Sequence, residues 1–216
     1  MNKNYIIRKE TPADYRMVEE MTREAFWNVY VPGCSEHYLT HIMREHKDFI
    51  SELNLVLELE GEIIATVKYT KSYLKDENGY EKPILSFGPF CVLPKYQRQG
   101  YGKALLEYSF DIAKDMGYDV IAIFGDPANY VARGFKSCHK FNVCLEGDIY
   151  HSSLIVKELV PDTLDGRKWY CYESKVFEGI TDEATEEFDK TFPIMEKAWR
   201  PSQEIFYIQC RSSIGN

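Results

Sequence analysis

The chain has 216 residues, of which 44% are hydrophobic and 28% are charged, and its formal net charge at pH 7 is −8. A chain of this length and composition can bury a sizeable core in one large domain, or in one domain with an extension, which excludes an intrinsically disordered protein. The acidic charge argues against sequence-independent binding to DNA or RNA, because such binding needs lysine and arginine against phosphate.

The first half of the chain predicts four strands and two helices. A helix is expected from Thr11, since threonine caps helix starts, proline suits the first helical position, and the apolar residues that follow have helical spacing. It ends where Pro32-Gly33 interrupts the pattern. Gly61 separates two apolar stretches, which indicates a hairpin. The other expected bounds are 5–8 for the first strand, 35–46 for the second helix, 54–60 and 62–69 for the hairpin strands, and 84–92 for the fourth strand.

The second half begins with a helix over 100–116, whose apolar residues form one face, and a nearly all-apolar strand over 118–124. After a Gly-Asp-Pro turn, a short helix ends at Gly134. Further elements are expected as strands over 141–145, 154–159 and 169–176, and as a helix over 182–199 that Pro193 divides. This order of elements is typical of a mixed α/β protein with strand–helix–strand crossovers at its centre.

The six cysteines form no C-x-x-C pair, and their spacings indicate no zinc site. In a chain of this length without a secretory leader, we expect reduced thiols rather than disulfides. The N-terminal residues contain no apolar h-region, and no run of 18 apolar residues occurs. We therefore expect a cytoplasmic protein with no membrane partner.

One turn gathers glycine and positive charge directly before a helix. It reads LPKYQRQGYGKALL over residues 93–106. The start of a helix offers unpaired N–H groups, glycine lets a ligand approach the backbone, and Arg98 and Lys103 add charge, so the turn indicates a phosphate or pyrophosphate cradle. Leu105 stands where the dinucleotide fingerprint needs its third glycine, and Gln97 and Ala104 break the P-loop pattern. An ordinary glycine-rich helix entry is the alternative.

Two motifs resemble those of the GNAT superfamily of N-acetyltransferases. Gln97-x-x-Gly100-x-Gly102 follows the strand sequence PFCVLP, opens an apolar helix, and resembles the acetyl-CoA-binding motif Q/R-x-x-G-x-G/A. The stretch GDPANYVARGF over residues 125–135 resembles a branch of the superfamily with a G-D-P turn and a C-terminal extension. The resemblance covers residues 4–160, which we expect to form the acetyltransferase domain. Residues 161–216 are expected to form an extension, one strand plus a helix, packed on it.

The resemblance implies a fold and a binding site. The fold is mixed α/β, with a mostly antiparallel central sheet, a splayed parallel strand pair and flanking helices. Acetyl-CoA is the implied cosubstrate, and no metal is expected. Gly88-Pro89 is expected to mark a bulge, because proline cannot donate to a strand ladder. The implied contacts with the coenzyme are Phe90, Cys91 and Val92 along the pantetheine arm, and Gln97, Arg98, Gln99, Gly100, Tyr101, Gly102 and Lys103 around the pyrophosphate.

The implied chemistry is direct attack of an amine on the thioester carbonyl, with a backbone N–H near Phe90 to Val92 stabilising the oxyanion. The family often uses a tyrosine four residues before a Gly-Phe pair to protonate the thiolate, and Tyr130 stands there. The alternative is that Tyr130 merely packs a helix. Ser86 occupies the position where several members carry a glutamate base, so the base stays unassigned. Cys91 is expected to be a small buried residue and not a nucleophile.

The stretch SEHYLTHIMREH places His37, His41 and Glu45 four residues apart, a spacing that could bind zinc. We favour a solvated helix face carrying His37, His41 and Arg44, with His46 at the edge of the core. This face is also a candidate border of the acceptor pocket, where Glu36, His37 and Glu45 could meet a cationic amine. The acidic residues of 182–189 are expected to form a second solvated face.

Three functions remain open from the sequence. The leading one is an acetyl-CoA-dependent N-acetyltransferase that acts on a primary amine of a small molecule or peptide. The alternatives are a non-catalytic module that binds acetyl-CoA or CoA as a sensor or partner, and a zinc hydrolase using His37 and His41. An exposed sheet edge beyond Phe135 would permit a homodimer.

Overall fold

The computed structural model describes residues 4–215. In this part of the chain the strands are β1 (Tyr5–Lys9), β2 (Leu55–Leu59), β3 (Glu62–Asp76), β4 (Glu81–Val92), β5 (Val120–Phe124), β6 (Lys136–Ser137), β7 (Val143–Cys144), β8 (Leu154–Glu158) and β9 (Trp169–Tyr172). The α-helices are α1 (Tyr15–Phe26), α2 (Glu36–Met43), α3 (Tyr101–Asp115), α4 (Pro127–Tyr130), α5 (Asp182–Asp189) and α6 (Pro201–Gln209).

The described strands form one sheet in the order β1-β2-β3-β4-β5-β8-β6, with β9 paired to the distal part of β3 and β7 paired to β9. Pairing is antiparallel except between β4 and β5 and between β7 and β9. The contact between β4 and β5 is a single registered pair, Leu85 with Ile121, so the two strands diverge beyond it. The predicted fold class, with its splayed parallel pair, is confirmed.

The predicted bulge lies in β4. Val67 on β3 pairs with Phe90, whereas Tyr69 pairs with Phe87, so Gly88 and Pro89 together stand opposite a single residue of β3. An extra residue in one strand bends that strand and ends its regular pairing. The bulge therefore lies just before the segment of β4 that the coenzyme was expected to follow.

Helices cover both faces of the sheet. The helix α3 is amphipathic, and the residues on its buried face, including Leu105, Leu106 and Phe110, pack into the main core. On the opposite face α1 buries Val18 and Met21. Burial of such apolar stripes supplies the main driving force for docking helices on a sheet.

A buried ionic network lies beneath α1 and α2. Lys68 on β3 is fully buried, and its Nζ lies 3.1 Å from Glu10 Oε2 and 2.8 Å from Asn54 Oδ1. Arg44 also binds Glu10, at 2.8 Å. Burial lowers the pKa of Lys68 to about 8, against the opposing effect of Glu10. Because each charge is paired, the network can stay buried without an orphaned ion.

The prediction of a solvated face on α2 is wrong for His37 and Arg44, whose side chains are buried, whereas His41 is exposed as predicted. His37 is fully buried, and its ring packs on Phe188 and Phe192 at centroid distances of 5.5 and 5.2 Å. Burial lowers the pKa of His37 to about 4. The helix α5 covers this face, which the sequence pattern of α2 alone could not reveal.

A second interaction fixes α5 to α1. Arg23 Nε donates to Asp189 Oδ1 at 2.6 Å, and the Arg23 side chain is only 4% exposed. Asp189 is thus not part of a solvated acidic face, whereas the other four acidic residues of α5, namely Asp182, Glu183, Glu186 and Glu187, are exposed. The ion pair holds the C-terminal region against α1.

Several predicted bounds differ from the structure. The first helix ends at Phe26, before Pro32. The segment expected as a strand over 141–145 starts at the last residue of a 3-10 helix, Cys138–Phe141, and its strand part is the two-residue β7. The segment over 182–199 is helical only as far as Asp189, and α6 was not predicted. The division at residue 160 stays a proposal.

The remaining global expectations concern thiols, membranes and the sheet edge. All six cysteines are free thiols. Within residues 4–215, none of the helices is long and apolar enough to cross a membrane. The sheet edge that follows Phe135 is β6, which has only two residues.

Candidate active site

A cavity of about 370 Å³ lies where β4 leaves β5. We call it the α3 cavity, because the first turn of α3 forms one of its walls. It lies between the end of α1, the last residues of β4, the glycine turn, and α4 with the residues that follow. The residues that line it are Ala25, Phe26, Val29, Tyr30, Phe90, Cys91, Val92, Tyr96, Gln97, Arg98, Gly100, Gly102, Lys103, Leu106, Asn129, Tyr130 and Arg133.

Eight of the ten residues predicted to contact the coenzyme line this cavity, together with the predicted acid Tyr130. The other two are Gln99 and Tyr101. Gln99 Nε2 donates to the carbonyl of Lys95 at 3.0 Å. The Tyr101 side chain is buried and packs edge-on against Tyr5 and Tyr96, so it faces the core. The side chains of these two residues therefore serve the turn and not the cavity.

The glycine turn has the backbone that its sequence predicts. Gly100 is the N-cap of α3 and has φ +91, in the left-handed region that favours glycine. Arg98 also has a positive φ, of 60°. The Gln97 side chain donates to the carbonyl of Val92 at 3.0 Å, which ties the turn to the end of β4. The first-turn N–H groups of Gly102 and Lys103 have no intrahelical acceptor, as at any helix start.

Gly102 is required for a steric reason. A Cβ at this position would lie 3.0 Å from Phe90 Cζ and 3.1 Å from Val92 Cγ2. Such contacts are tighter than ordinary van der Waals contact, so either β4 or α3 would have to shift. Glycine thus lets α3 lie close against β4 at the cavity wall.

The free edge of β4 offers backbone donors to the cavity. The N–H of Leu93 donates to the carbonyl of Ile64 on β3 at 2.9 Å. Successive residues of a strand direct their N–H groups to opposite edges, so the N–H groups of Val92 and Phe90 face away from β3. That edge is the one from which β5 has diverged.

Tyr130 lies at the inner end of the α3 cavity. Its ring packs against Phe87, Phe90 and Phe135, with centroids 5.7, 6.3 and 5.8 Å away. A Cβ on Gly125 would lie 2.7 Å from Tyr130 Cε2, so the ring rests on the Gly-Asp-Pro turn. Burial raises the pKa of Tyr130 well above its usual value. The phenol therefore keeps its proton at neutral pH.

Cys91 behaves as a buried structural thiol. Burial raises its pKa to about 12. Its Sγ lies 3.9 Å from Thr22 Oγ1 on α1, on the face opposite that of Phe90 and Val92. A thiol with this pKa carries almost no thiolate at neutral pH, so it is a poor nucleophile.

The sequence itself carries the family assignment. Residues 20–139 match the family described as the Acetyltransferase (GNAT) family. The chain belongs to the acetyltransferase (GNAT) family. Its identification as a GNAT N-acetyltransferase is thereby confirmed.

Similar proteins agree with this assignment. The chain is 28% identical over 162 residues to the Escherichia coli K12 protein named Uncharacterized N-acetyltransferase YhbS, a match that covers 74% of this chain and 91% of that protein. The crystal structure of E. coli YhbS in complex with CoA has a TM-score of 0.69 at 24% identity, covering 81% of this chain and 92% of that one.

A second solved structure shows the same fold. It is a GNAT family acetyltransferase from Brucella melitensis in complex with acetyl-CoA, with a TM-score of 0.63 at 22% identity. The match covers 82% of this chain and 99% of that one. The shared fold thus extends beyond residues 20–139 of this GNAT chain.

A carboxylate missed by sequence reasoning lies beside Ser86. Ser86 is 1% exposed, and its Oγ donates to Glu173 Oε1 at 3.2 Å. Burial raises the pKa of Glu173 to about 7. The position where several family members carry a glutamate is therefore next to a carboxyl group from the segment after β9. The argument for a non-catalytic module depended on the lack of such a group.

The histidine segment does not form a metal site. His41 Nδ1 lies 3.0 Å from Glu19 Oε1, whereas His37 Nε2 lies 3.2 Å from Asp189 Oδ1. Within the described part of the chain, no group of three or more His, Cys, Asp or Glu side chains could hold a metal ion. The two imidazoles have different partners, so the zinc hydrolase interpretation has no structural support.

Proposed function

We propose that this GNAT protein transfers the acetyl group of acetyl-CoA to a primary amine of a small molecule or peptide by direct attack on the thioester. The observation that carries the proposal is the α3 cavity, which is lined both by the glycine-rich start of a helix and by Tyr130. The CoA and acetyl-CoA complexes of similar structures support the same cosubstrate.

The residues of the turn fit a pyrophosphate. Helix N-termini bind anions through unpaired N–H groups and a partial positive charge. Gly100 and Gly102 let the phosphate oxygens reach that backbone. Arg98, Lys103 and Arg133 line the same cavity and supply positive charge. These three cations lie together at the cavity although the chain is acidic overall.

The free edge of β4 fits the pantetheine arm. An amide of the arm can pair with the N–H and C=O groups that β5 leaves unpaired. The N–H of Phe90 or Val92 would also lie where an oxyanion develops. In other acyl-transfer enzymes, removing one such donor costs about 3–4 kcal/mol of transition-state stabilisation.

Tyr130 serves as the general acid in this proposal. The amine nitrogen forms a bond to the carbonyl carbon, and the carbon–sulfur bond breaks. The Tyr130 hydroxyl gives its proton to the departing thiolate, and the attacking nitrogen loses a proton to a base. The Tyr130 phenol is available for this step because burial raises its pKa and so keeps it protonated at neutral pH. Its packing against three aromatic rings fixes its orientation.

Calorimetric titration of acetyl-CoA into the wild-type protein tests the site, with NAD and ATP as control ligands. We expect micromolar binding of acetyl-CoA alone. Gly102→Glu should abolish it, because a carboxylate and its side chain would occupy the cradle. Gly215→Glu is the matched control, since a side chain there meets nothing within 4 Å. Equal binding of all three ligands, or none, would refute the assignment.

A homodimer and the division of the chain at residue 160 remain proposals. The two-residue β6 offers a short edge for pairing a second copy. The C-terminal residues 161–216 contribute β9, α5 and α6, which contact the sheet, α1 and α2. This supports an extension that is built into the fold.

A further inference from the structure

A second cavity, of about 450 Å³, lies beside the first. We call it the α6 cavity, because the C-terminal helix α6 forms its outer wall. Its other walls come from the end of α1, the start of α2, the Gly-Asp-Pro turn and the residues before β8. The residues that line it are Tyr30, Glu36, Phe124, Gly125, Asp126, His151, Ser153, Phe206, Gln209 and Cys210.

The two cavities are adjacent to each other near Tyr130, the proposed general acid. Tyr30 lines both of them. Gly125 lines the α6 cavity, and the ring of Tyr130, which lines the α3 cavity, rests directly on Gly125. A small molecule in the α6 cavity would therefore lie next to the end of the coenzyme site where the thioester is expected.

Interactions across the α6 cavity hold its outer wall in place. The rings of Tyr30 and Phe206 lie 4.6 Å apart. His151 Nε2 lies 3.1 Å from the carbonyl of Cys210, and Gln209 Nε2 donates to Asp126 Oδ1 at 3.4 Å. These contacts connect α6 and the residue after it to the segment that follows α1, to the segment before β8 and to the Gly-Asp-Pro turn. The cavity thus exists because the C-terminal region packs there.

The lining combines aromatic rings with acidic groups. Tyr30, Phe124 and Phe206 supply apolar faces, and Glu36 and Asp126 supply carboxyl groups. Among residues 4–215, no lysine or arginine lines it. Carboxylates and aromatic faces both favour an ammonium group, and the rings favour an apolar body next to it. The volume is in the range of small-ligand sites.

We propose that the α6 cavity binds the acceptor, a monocationic primary amine with an aromatic or apolar body, and that Glu36 is the general base that takes the proton from its attacking nitrogen. This inference deepens the proposed function and rests on it. A polyamine or an aminoglycoside, with several separated cations, would find too few carboxylates in this lining.

The position and the pKa of Glu36 both suit the role of a general base. It is half-buried at the first position of α2, and the N–H of Ser35 donates to its Oε2 at 3.1 Å. Burial raises its pKa to about 7. The titratable groups that face it from the packed elements are Tyr30, Cys34, Cys91, Asp126, His151 and Cys210. A base with a pKa near the working pH is efficient in proton transfer.

The proton balance is complete with these residues and solvent. The bound ammonium nitrogen loses two protons: the Glu36 carboxylate accepts the first, which frees the lone pair to attack the carbonyl carbon, and solvent accepts the second from the adduct as the carbon–sulfur bond breaks. The Tyr130 hydroxyl supplies a proton to the thiolate. Solvent then restores both side chains to their starting states. Since the carboxylate is the active form of Glu36, turnover should rise with pH through about 7.

Steady-state kinetics on the full chain test this assignment, with 2-phenylethylamine, spermidine and a short peptide as acceptors. We expect turnover of 2-phenylethylamine to exceed that of the others. Glu36→Gln should lower kcat at least 100-fold and abolish its rise with pH, with unchanged acetyl-CoA affinity, and Glu36→Asp should restore part of the activity. Phe206→Ala should raise the KM for 2-phenylethylamine about tenfold.

Glu24→Gln, at an exposed position of α1, is the control and should leave kcat and its pH profile unchanged. Glu173→Gln is the competing variant, because Glu173 is a second half-buried carboxyl group whose pKa burial raises to about 7. Loss of activity in Glu173→Gln instead of Glu36→Gln would overturn the role of Glu36. Preference for spermidine or the peptide, or acetyl-CoA binding without turnover of 2-phenylethylamine, would overturn the acceptor class. Failure to bind acetyl-CoA at all would refute the proposed function itself.

Discussion

Replacing Glu36 with glutamine should stabilise the folded protein at high pH and not at low pH. The Glu36 carboxyl has a pKa of about 7 in the folded chain, against an ordinary value of 4.5, because it is buried. Between these two values the folded chain keeps a proton that the unfolded chain releases, so the wild-type protein loses stability as pH rises through about 7. Glutamine does not titrate, and its oxygen can still accept from the N–H of Ser35.

The size of this effect follows from the two pKa values. One pKa unit corresponds to about 1.4 kcal/mol, so charging the buried carboxylate costs at most ~3.5 kcal/mol above pH 7. Most of this cost is present at pH 8 and little of it at pH 5. The stability gained by Glu36→Gln should therefore be roughly 2 kcal/mol larger at pH 8 than at pH 5.

Urea denaturation of both proteins at pH 5 and pH 8, followed by tryptophan fluorescence, measures the difference. Glu24→Gln, on the exposed side of α1, is the control and should change stability equally at both pH values. If Glu36→Gln and the wild-type protein respond to pH in parallel, then the Glu36 carboxyl is not desolvated. The case for it as a base near neutral pH would then fail.

Two further substitutions test how the structure is held together. Lys68→Met should lower the free energy of unfolding by about 3 kcal/mol, because it removes one partner of the fully buried Glu10. A change below about 1 kcal/mol in urea denaturation would contradict the stabilising role of this ion pair. Asp189→Asn should release α5, since the buried Arg23 loses its ion-pair partner. Limited proteolysis should then cut residues 180–200 faster. An unchanged rate of cleavage would show that the Arg23–Asp189 ion pair does not hold α5 in place.

Local sequence signals predicted the residues that line much of the α3 cavity. The glycine turn, the strand before it and the helix after it are consecutive, and their conformations follow from residue types. Gly100 takes a left-handed conformation, Gly102 allows a close approach, and Gly88-Pro89 forms a bulge. One tertiary feature, Tyr130 at the inner end of the cavity, followed from the family resemblance and not from local physics.

The surroundings of Ser86 and of α2 could not be predicted in the same way, because distant segments build them. Glu173 reaches Ser86 from 87 residues away along the chain. His37 has a polar neighbourhood in sequence, but Phe188 of α5 covers it. Without the fold, α2 therefore looked like a solvated helix.

The sequence of α6 contains only a weak indication of a helix. Pro201 occupies its first position, which is a typical helix start. Its outer residues Ile205, Tyr207 and Ile208 are more than half exposed, so no apolar stripe separates a buried from a solvated face. The helix that walls the proposed acceptor cavity was therefore missed. Glu36 was among the residues expected to meet an amine, whereas His37 and Glu45 do not line the α6 cavity.

The central claim is that Tyr130 protonates the thiolate in an acetyl transfer from acetyl-CoA. The most direct test compares Tyr130→Phe with the wild-type protein, measuring CoA release in the presence of an acceptor amine and acetyl-CoA affinity by calorimetry. Tyr108→Phe, at an exposed tyrosine on α3, is the control. We predict that Tyr130→Phe lowers kcat by about 100-fold or more while the acetyl-CoA Kd stays the same. Wild-type turnover in Tyr130→Phe would contradict the account.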